Sequence, residues 1–220
     1  MCFSASASFT SAAAVAVVGV ATVARSNHPK EWLFAAVPLF FAWHQFNEGM
    51  VWLGLHGDLG IGTLDDWGFV YMLYAQALLP LLMPLSVWLI EPDKQRGRRI
   101  LPFLAVGAVL VLYVLWALLN FDTHIGVRDH SVVYHNPGTR SIVVAALYIV
   151  VTCGALFFSG YRYIVMLGVL NLVGLSVVLL IKQYAFTSVW CAYAAVISVL
   201  IYGHFYRRRR AEAHGAMLEH

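Results

Sequence analysis

Apolar residues along the chain form long runs that short polar or charged segments separate. Seven such runs cover residues 9–23, 32–55, 67–90, 100–121, 141–158, 161–181 and 188–206. Most of them approach the roughly 20 residues that an α-helix needs to cross a hydrocarbon core of about 30 Å. The pattern therefore predicts an all-α integral membrane bundle of seven transmembrane helices, forming a single domain over residues 1–217. Residues 218–220 resemble the start of a purification tag, and we exclude them.

Composition strengthens this interpretation. Of the residues, 61% are hydrophobic and 11% are charged, and the mean hydropathy is +0.75. A water-soluble domain of this length cannot cover so much apolar surface with so few charges. We therefore expect membrane lipid to be the solvent of most of the chain.

The basic residues predict an orientation, because Lys and Arg in short loops are retained on the cytoplasmic side. They fall between runs one and two, between three and four, between five and six, and after seven: Arg25, Lys30, Lys94, Arg96, Arg98, Arg99, Arg162 and Arg207 to Arg210. All four segments lie on one side of a seven-span bundle. We expect a bacterial inner-membrane protein with its N-terminus outside and its C-terminus in the cytoplasm. The final arginine run then anchors the topology and is not a nucleic-acid site.

The second run contains polar residues that lipid disfavours. The segment reads Trp43-His44-Gln45-Phe46-Asn47-Glu48-Gly49. His44 and Glu48 are four residues apart, so both project from one stripe of a helix. An imidazole and a carboxylate one turn apart can share a divalent metal ion or a proton. The alternatives are a hydrogen-bonded pair that joins helices, or part of a substrate pathway.

Other candidate groups belong to segments expected on the outer side. Cys2 lies at the N-terminus, and His130 and His135 lie in the long segment 122–140, where Gly126 and a turn after His135 would suit a short hairpin. That segment could cover the bundle as a lid. We predict His44, Glu48, His130, His135 and Cys2 as ligands of a divalent metal ion, which could be Zn, Cu or Fe.

This site suggests two classes of function. In a membrane-embedded hydrolase or redox enzyme acting on a lipid or a small molecule, Glu48 would be catalytic, and Tyr71 and Tyr74 would orient the substrate. In a non-enzymatic sensor, transporter or accessory subunit, the His/Glu cluster would be structural. The sequence leaves the substrate, the metal and the oligomeric state open.

Two motifs also carry a resemblance. The opening Met-Cys-Phe-Ser-Ala and the pattern His44-Gln45-x-x-Glu48-Gly49-x-x-Trp52 resemble those of an uncharacterised family of small bacterial multi-pass membrane proteins. Members of that family begin with Met-Cys-Phe/Trp-Ser-Ala. The resemblance supports the choice of site residues, and it implies no activity, substrate or cofactor.

Overall fold

The computed structural model of the chain describes residues 4–58, 61–128, 131–182, 193 and 196–210. The elements are α1 (Ala5–Val23), a 3-10 turn (Pro29–Glu31), α2 (Trp32–Ala35), α3 (Val37–His56), α4 (Leu64–Met72), a π-helical segment (Leu73–Leu78), α5 (Leu79–Ile90), α6 (Lys94–Asn120), β1 (His124–Arg128), β2 (Ser131–His135), α7 (Ile142–Phe157) and α8 (Arg162–Lys182). Residues 196–210 are also helical. The expected helical architecture is confirmed, and the hairpin β1–β2 is the exception to an all-α fold.

Three helices in the described part of the chain are long and apolar enough to cross a membrane. They are Ala5–Val23, the continuous helix Leu64–Ile90, and Lys94–Asn120. Ile142–Phe157 and the described part Arg162–Ser176 are apolar but shorter. Helix α3 has 20 residues, but its polar residues lower its mean hydropathy. Length and composition thus support a membrane protein, while the full set of seven spans stays a prediction.

The second predicted span is interrupted near its start. Helix α2 ends at Ala35 and α3 begins at Val37, with Pro38 in the first turn of α3. Proline suits the first turn of a helix because its missing N–H would have no intrahelical partner there. The interruption leaves α3 as an independent helix, and it is α3 that carries the polar residues.

Helices α1 and α3 pack antiparallel at close range. A Cβ added at Gly49 would lie 2.6 Å from Phe9, and one added at Gly19 would lie 2.5 Å from Leu39. The two glycines therefore let the helix backbones approach each other. This packing sets α1 beside the whole length of α3, including its polar segment.

The helix Leu64–Ile90 changes its hydrogen-bond register where a proline requires it. The Leu79 N–H donates to the Tyr74 carbonyl, five residues earlier, at the end of the π-helical segment. Pro80 follows immediately and has no N–H to continue the ordinary ladder. The π segment provides the change of hydrogen-bond register. Tyr71 lies shortly before this segment and Tyr74 lies inside it.

The hairpin closes over one end of the bundle. Its strands pair antiparallel, with Ile125 opposite Tyr134. Asn136 joins the segment after β2 to the segment before β1, because its side-chain amide donates to the Phe121 carbonyl and to Thr123 Oγ1. Val132 packs with Val51 and other apolar residues of the bundle. The hairpin is therefore docked onto α3 rather than projecting from the bundle.

Basic residues from different segments meet at the opposite end. Arg209 donates to the Ala24 carbonyl at 3.1 Å, and Arg208 forms an ion pair with Glu31 at 2.6 Å. The Arg25 guanidinium lies 4.7 Å from the centroid of the Tyr202 ring. Segments that are remote in sequence thus gather their positive charge at one end of the molecule.

Candidate functional site

The polar side chains in the middle of α3 are buried. His44, Gln45, Asn47 and Glu48 are 4%, 1%, 1% and 0% exposed. The neighbouring Trp43 is 49% exposed, so the polar side chains point inward while an apolar ring occupies the outer face. Polar groups buried in this way are costly unless other groups compensate them. The helix therefore places its polar chemistry inside the protein.

Three aromatic rings form a column beside these residues. The His44 ring stacks on Tyr71 with centroids 4.0 Å apart, and Tyr71 stacks on Tyr134 with centroids 4.3 Å apart. Tyr74 also approaches His44, at 4.9 Å between centroids. The column joins α3, the helix Leu64–Ile90 and β2. It covers one face of the imidazole but leaves the edge, which carries both ring nitrogens, outside the stack.

Several buried polar atoms near this segment lack a hydrogen-bond partner among the described residues. They include His44 Nδ1, Asn47 Oδ1, Ser8 Oγ and Ser131 Oγ. The other polar atom of the Asn47 side chain is bonded, because its amide nitrogen donates to the Trp43 carbonyl at 2.8 Å. A buried acceptor or donor without a partner costs about 1–3 kcal/mol. Such a cost is explained when a bound ion, water or ligand satisfies the group.

Neighbouring contacts place Ser8 and Ser131 along the same stretch of α3. Ser8 precedes Phe9, which packs against Gly49. Ser131 precedes Val132, which belongs to an apolar cluster with Val51. Both serines are fully buried. The polar region is therefore bordered by α1 on one side and by the hairpin on another.

The structure brings together some of the predicted site residues. His44, Tyr71 and Tyr74 are in direct ring contact, and Glu48 follows His44 by one helical turn on the buried face. His135 is different, because successive residues of a strand face opposite sides. Tyr134 stacks on Tyr71, so His135 belongs to the other face of the hairpin.

Two predicted ligands, Cys2 and His130, lie outside the described residues. Across the ranges that the structure does describe, no group of three or more His, Cys, Asp or Glu side chains is arranged to hold a metal ion. His44 and Glu48 thus offer two candidate donors. An enzyme-type zinc site ordinarily has three protein ligands.

Tyr134, Ser8 and Ser131 were not selected from the sequence as site residues. Alternation along Ser131-Val-Val-Tyr134 could have indicated that Val132 and Tyr134 share a face. Nothing in the local sequence specifies that this face would meet Tyr71. The two serines are small polar residues in apolar surroundings, a pattern too common in membrane helices to single them out.

The chain matches the protein-family model DUF6629, described as a family of unknown function, over residues 1–216. No curated protein and no solved structure matches the chain.

Proposed function

The chain belongs to DUF6629, a family of unknown function, and from that premise we propose that it is a multi-pass membrane protein with a buried metal-binding centre on α3. His44 and Glu48 would be the ligands from the described residues, and Cys2 and His130 remain predicted additional ligands. The ion would be divalent, with Zn, Cu or Fe as the candidates.

One observation carries this proposal: His44 Nδ1 is buried and has no hydrogen-bond partner among the described residues. An imidazole binds a metal through a nitrogen lone pair in the plane of its ring. Stacking on Tyr71 fixes that plane without using the nitrogens. A ligand held in one orientation in this way loses little conformational freedom when it binds.

Burial of Glu48 supports the same proposal. The residue is 0% exposed, and an ionised carboxylate at such a position needs a compensating positive charge or a proton. A divalent ion coordinated by both side chains would supply that charge. A zinc or similar ion would contribute Lewis acidity. In a hydrolase or redox enzyme, Glu48 would serve either as a ligand of this ion or, instead, as the group that holds and releases a proton, and Tyr71 and Tyr74 would orient a lipid or small-molecule substrate.

The seven-span topology is part of the proposal. The gathering of Arg25, Arg208 and Arg209 at one end of the molecule supports a cytoplasmic location for that end. The hairpin and the His44 centre would then lie in the outer half of a bacterial inner membrane. Reporter fusions at the C-terminus and in the segment 122–140 should give cytoplasmic and external signals, respectively.

Elemental analysis of the purified full chain tests the metal proposal. We expect a stoichiometric divalent metal in the unchanged protein and at least about a tenfold loss in His44→Gln. The loss in Glu48→Gln should be smaller, because the amide of Gln keeps an oxygen donor at that position. His28→Gln is the matched control, since His28 is exposed near the opposite end. Metal-free protein, or equal metal in His44→Gln and His28→Gln, would contradict the proposal.

A structural role for the cluster is the alternative, in a sensor, transporter or accessory subunit. The aromatic column favours it, because stacked rings and the Asn47 hydrogen bond can join helices without any ligand. In that case His44→Gln should lower the thermal stability of protein that contains no metal, and chelators should have no effect.

A further inference from the structure

A groove of about 340 Å³ lies where α5 ends and α6 begins. Lys30, Lys94 and Arg98 line it. In the part of the chain that the structure describes, neither of the ion pairs involves these three side chains. Among the described residues, these three basic side chains are therefore not committed to an ion pair.

Two carboxylates also line the groove, but both are engaged in holding the backbone. Glu91 Oε2 accepts hydrogen bonds from the Gly160 N–H at 2.7 Å and from Ser159 Oγ at 3.2 Å. Asp93 caps α6 by accepting from the Gln95 N–H at 2.7 Å. These contacts hold the two carboxylates toward the α7–α8 turn and the start of α6, and Asp93 also pairs with Arg96 at 3.6 Å. The lining thus has three basic groups against two carboxylates, so a net positive charge remains to meet an anionic ligand.

The rest of the lining is suited to a lipid. Trp88 is 39% exposed and Leu101 is 42% exposed, and both line the groove. Tryptophan is enriched at the boundary between the hydrocarbon core and water. Helix α5 ends at Ile90, and the apolar part of α6 begins near Ile100. Lys94 and Arg98 lie between these two points, and Lys30 reaches the same groove from the 3-10 turn before α2. This position beside the ends of apolar helices is the one expected for lipid headgroups.

We propose that this groove binds the headgroup of an anionic phospholipid, with Lys30, Lys94 and Arg98 on the phosphate and Trp88 and Leu101 against the glycerol and the upper acyl chains. The volume falls within the range of small-molecule sites. Basic pockets beside membrane helices bind anionic headgroups through the same chemistry. The inference rests on membrane insertion, which is part of the proposed function, and it is independent of the metal centre.

Native mass spectrometry of the full chain in neutral detergent tests the groove. The protein is mixed with equal amounts of phosphatidylglycerol and phosphatidylcholine that carry the same acyl chains. We expect at least about a tenfold preference for phosphatidylglycerol, because each basic residue at a headgroup contributes severalfold to affinity. The combined variant Lys30→Gln, Lys94→Gln and Arg98→Gln should reduce the preference to about the level of no discrimination.

A matched control carries the same loss of charge elsewhere. Arg99→Gln, Arg140→Gln and Arg162→Gln replace three exposed basic residues that do not line the groove. This control should keep the preference within about twofold of the unchanged protein, because none of its three side chains lines the groove and exposed charges outside a site are screened by solvent and salt. Equal loss in both combined variants would overturn the proposal. A charge-conserving variant, Lys30→Arg, Lys94→Arg and Arg98→Lys, should retain the preference. Its retention would show that the loss in the triple Gln variant follows from the lost charge and not from changed side-chain packing.

Two further outcomes are decisive. Displacement of phosphatidylglycerol by millimolar glycerol phosphate would show that the groove takes a soluble phosphate, and it would overturn the lipid assignment. A chain inserted in the membrane that shows no preference between the two lipids would overturn the groove alone. A chain that is recovered outside the membrane fraction would overturn the membrane assignment as well.

Discussion

Helices α3 and α6 distribute polarity in opposite ways. The apolar window of α6 has a mean hydropathy of 2.5 and is 28% buried, and its Val109 and Leu112 are 65% and 70% exposed. Helix α3 buries His44 and Glu48 and exposes Trp43. One helix thus presents apolar side chains to its surroundings, whereas the other withdraws polar side chains from them. Both arrangements are expected in lipid, and the difference marks α3 as the helix that buries its polar side chains inside the protein.

The largest effect should come from placing a charge on the outer face of α6. We expect Leu112→Asp to cost about 2.5–3.5 kcal/mol of insertion free energy, the value for a charged residue at the centre of a membrane helix. The measurement is the fraction of the chain that resists alkaline extraction from membranes. Ile61→Asp is the control, because Ile61 is 75% exposed in the segment between α3 and α4. If both variants insert equally well, the outer face of α6 does not contact lipid.

A smaller effect is expected from separating α1 and α3. In Gly49→Ala the new methyl group would lie 2.6 Å from the Phe9 ring, so either the ring or the helix that carries it must shift. Overpacking of this kind typically costs about 1–3 kcal/mol of unfolding free energy. Thermal unfolding in detergent measures the loss, and metal content measured in parallel reports on the polar region beside this contact.

The control for this change is Gly203→Ala. Gly203 is also helical, but an added Cβ there would meet no atom within 4 Å. Alanine should be neutral, or stabilising by up to about 1 kcal/mol, because it favours helix more than glycine does. Comparable losses in both variants would mean that glycine conformation, rather than contact with Phe9, determines the effect.

The sequence predicted the parts of this molecule that depend on local pattern. Apolar runs located the helices, and the spacing of His44 and Glu48 predicted one buried stripe. The π-helical segment was not predicted, although Pro80 lies shortly after it in the sequence. Its change of hydrogen-bond register also depends on how the neighbouring helices pack. Gly107 of α6 packs directly against the Pro80 carbonyl. The stacking of Tyr134 on Tyr71 was not predicted either, because it is a tertiary contact between residues about sixty positions apart in the chain.

The smallest predicted effect concerns the contact between the hairpin and the polar region of α3. Tyr71 lies between His44 and Tyr134, at 4.0 and 4.3 Å between ring centroids. A double-mutant cycle with Tyr71→Leu and Tyr134→Leu should give a coupling of about 0.5–1.5 kcal/mol in unfolding free energy, the range for aromatic pairs. The cycle of Tyr71→Leu with Tyr206→Leu should be additive within about 0.5 kcal/mol, because Tyr206 lies among the basic residues at the other end. Equal coupling in the two cycles would mean that the stack of Tyr134 on Tyr71 does not hold the hairpin against the helices. The contrast between α3 and α6 would then have to come from the packing of the helices, because Tyr71 also belongs to an apolar cluster with Val114 and Leu118 of α6.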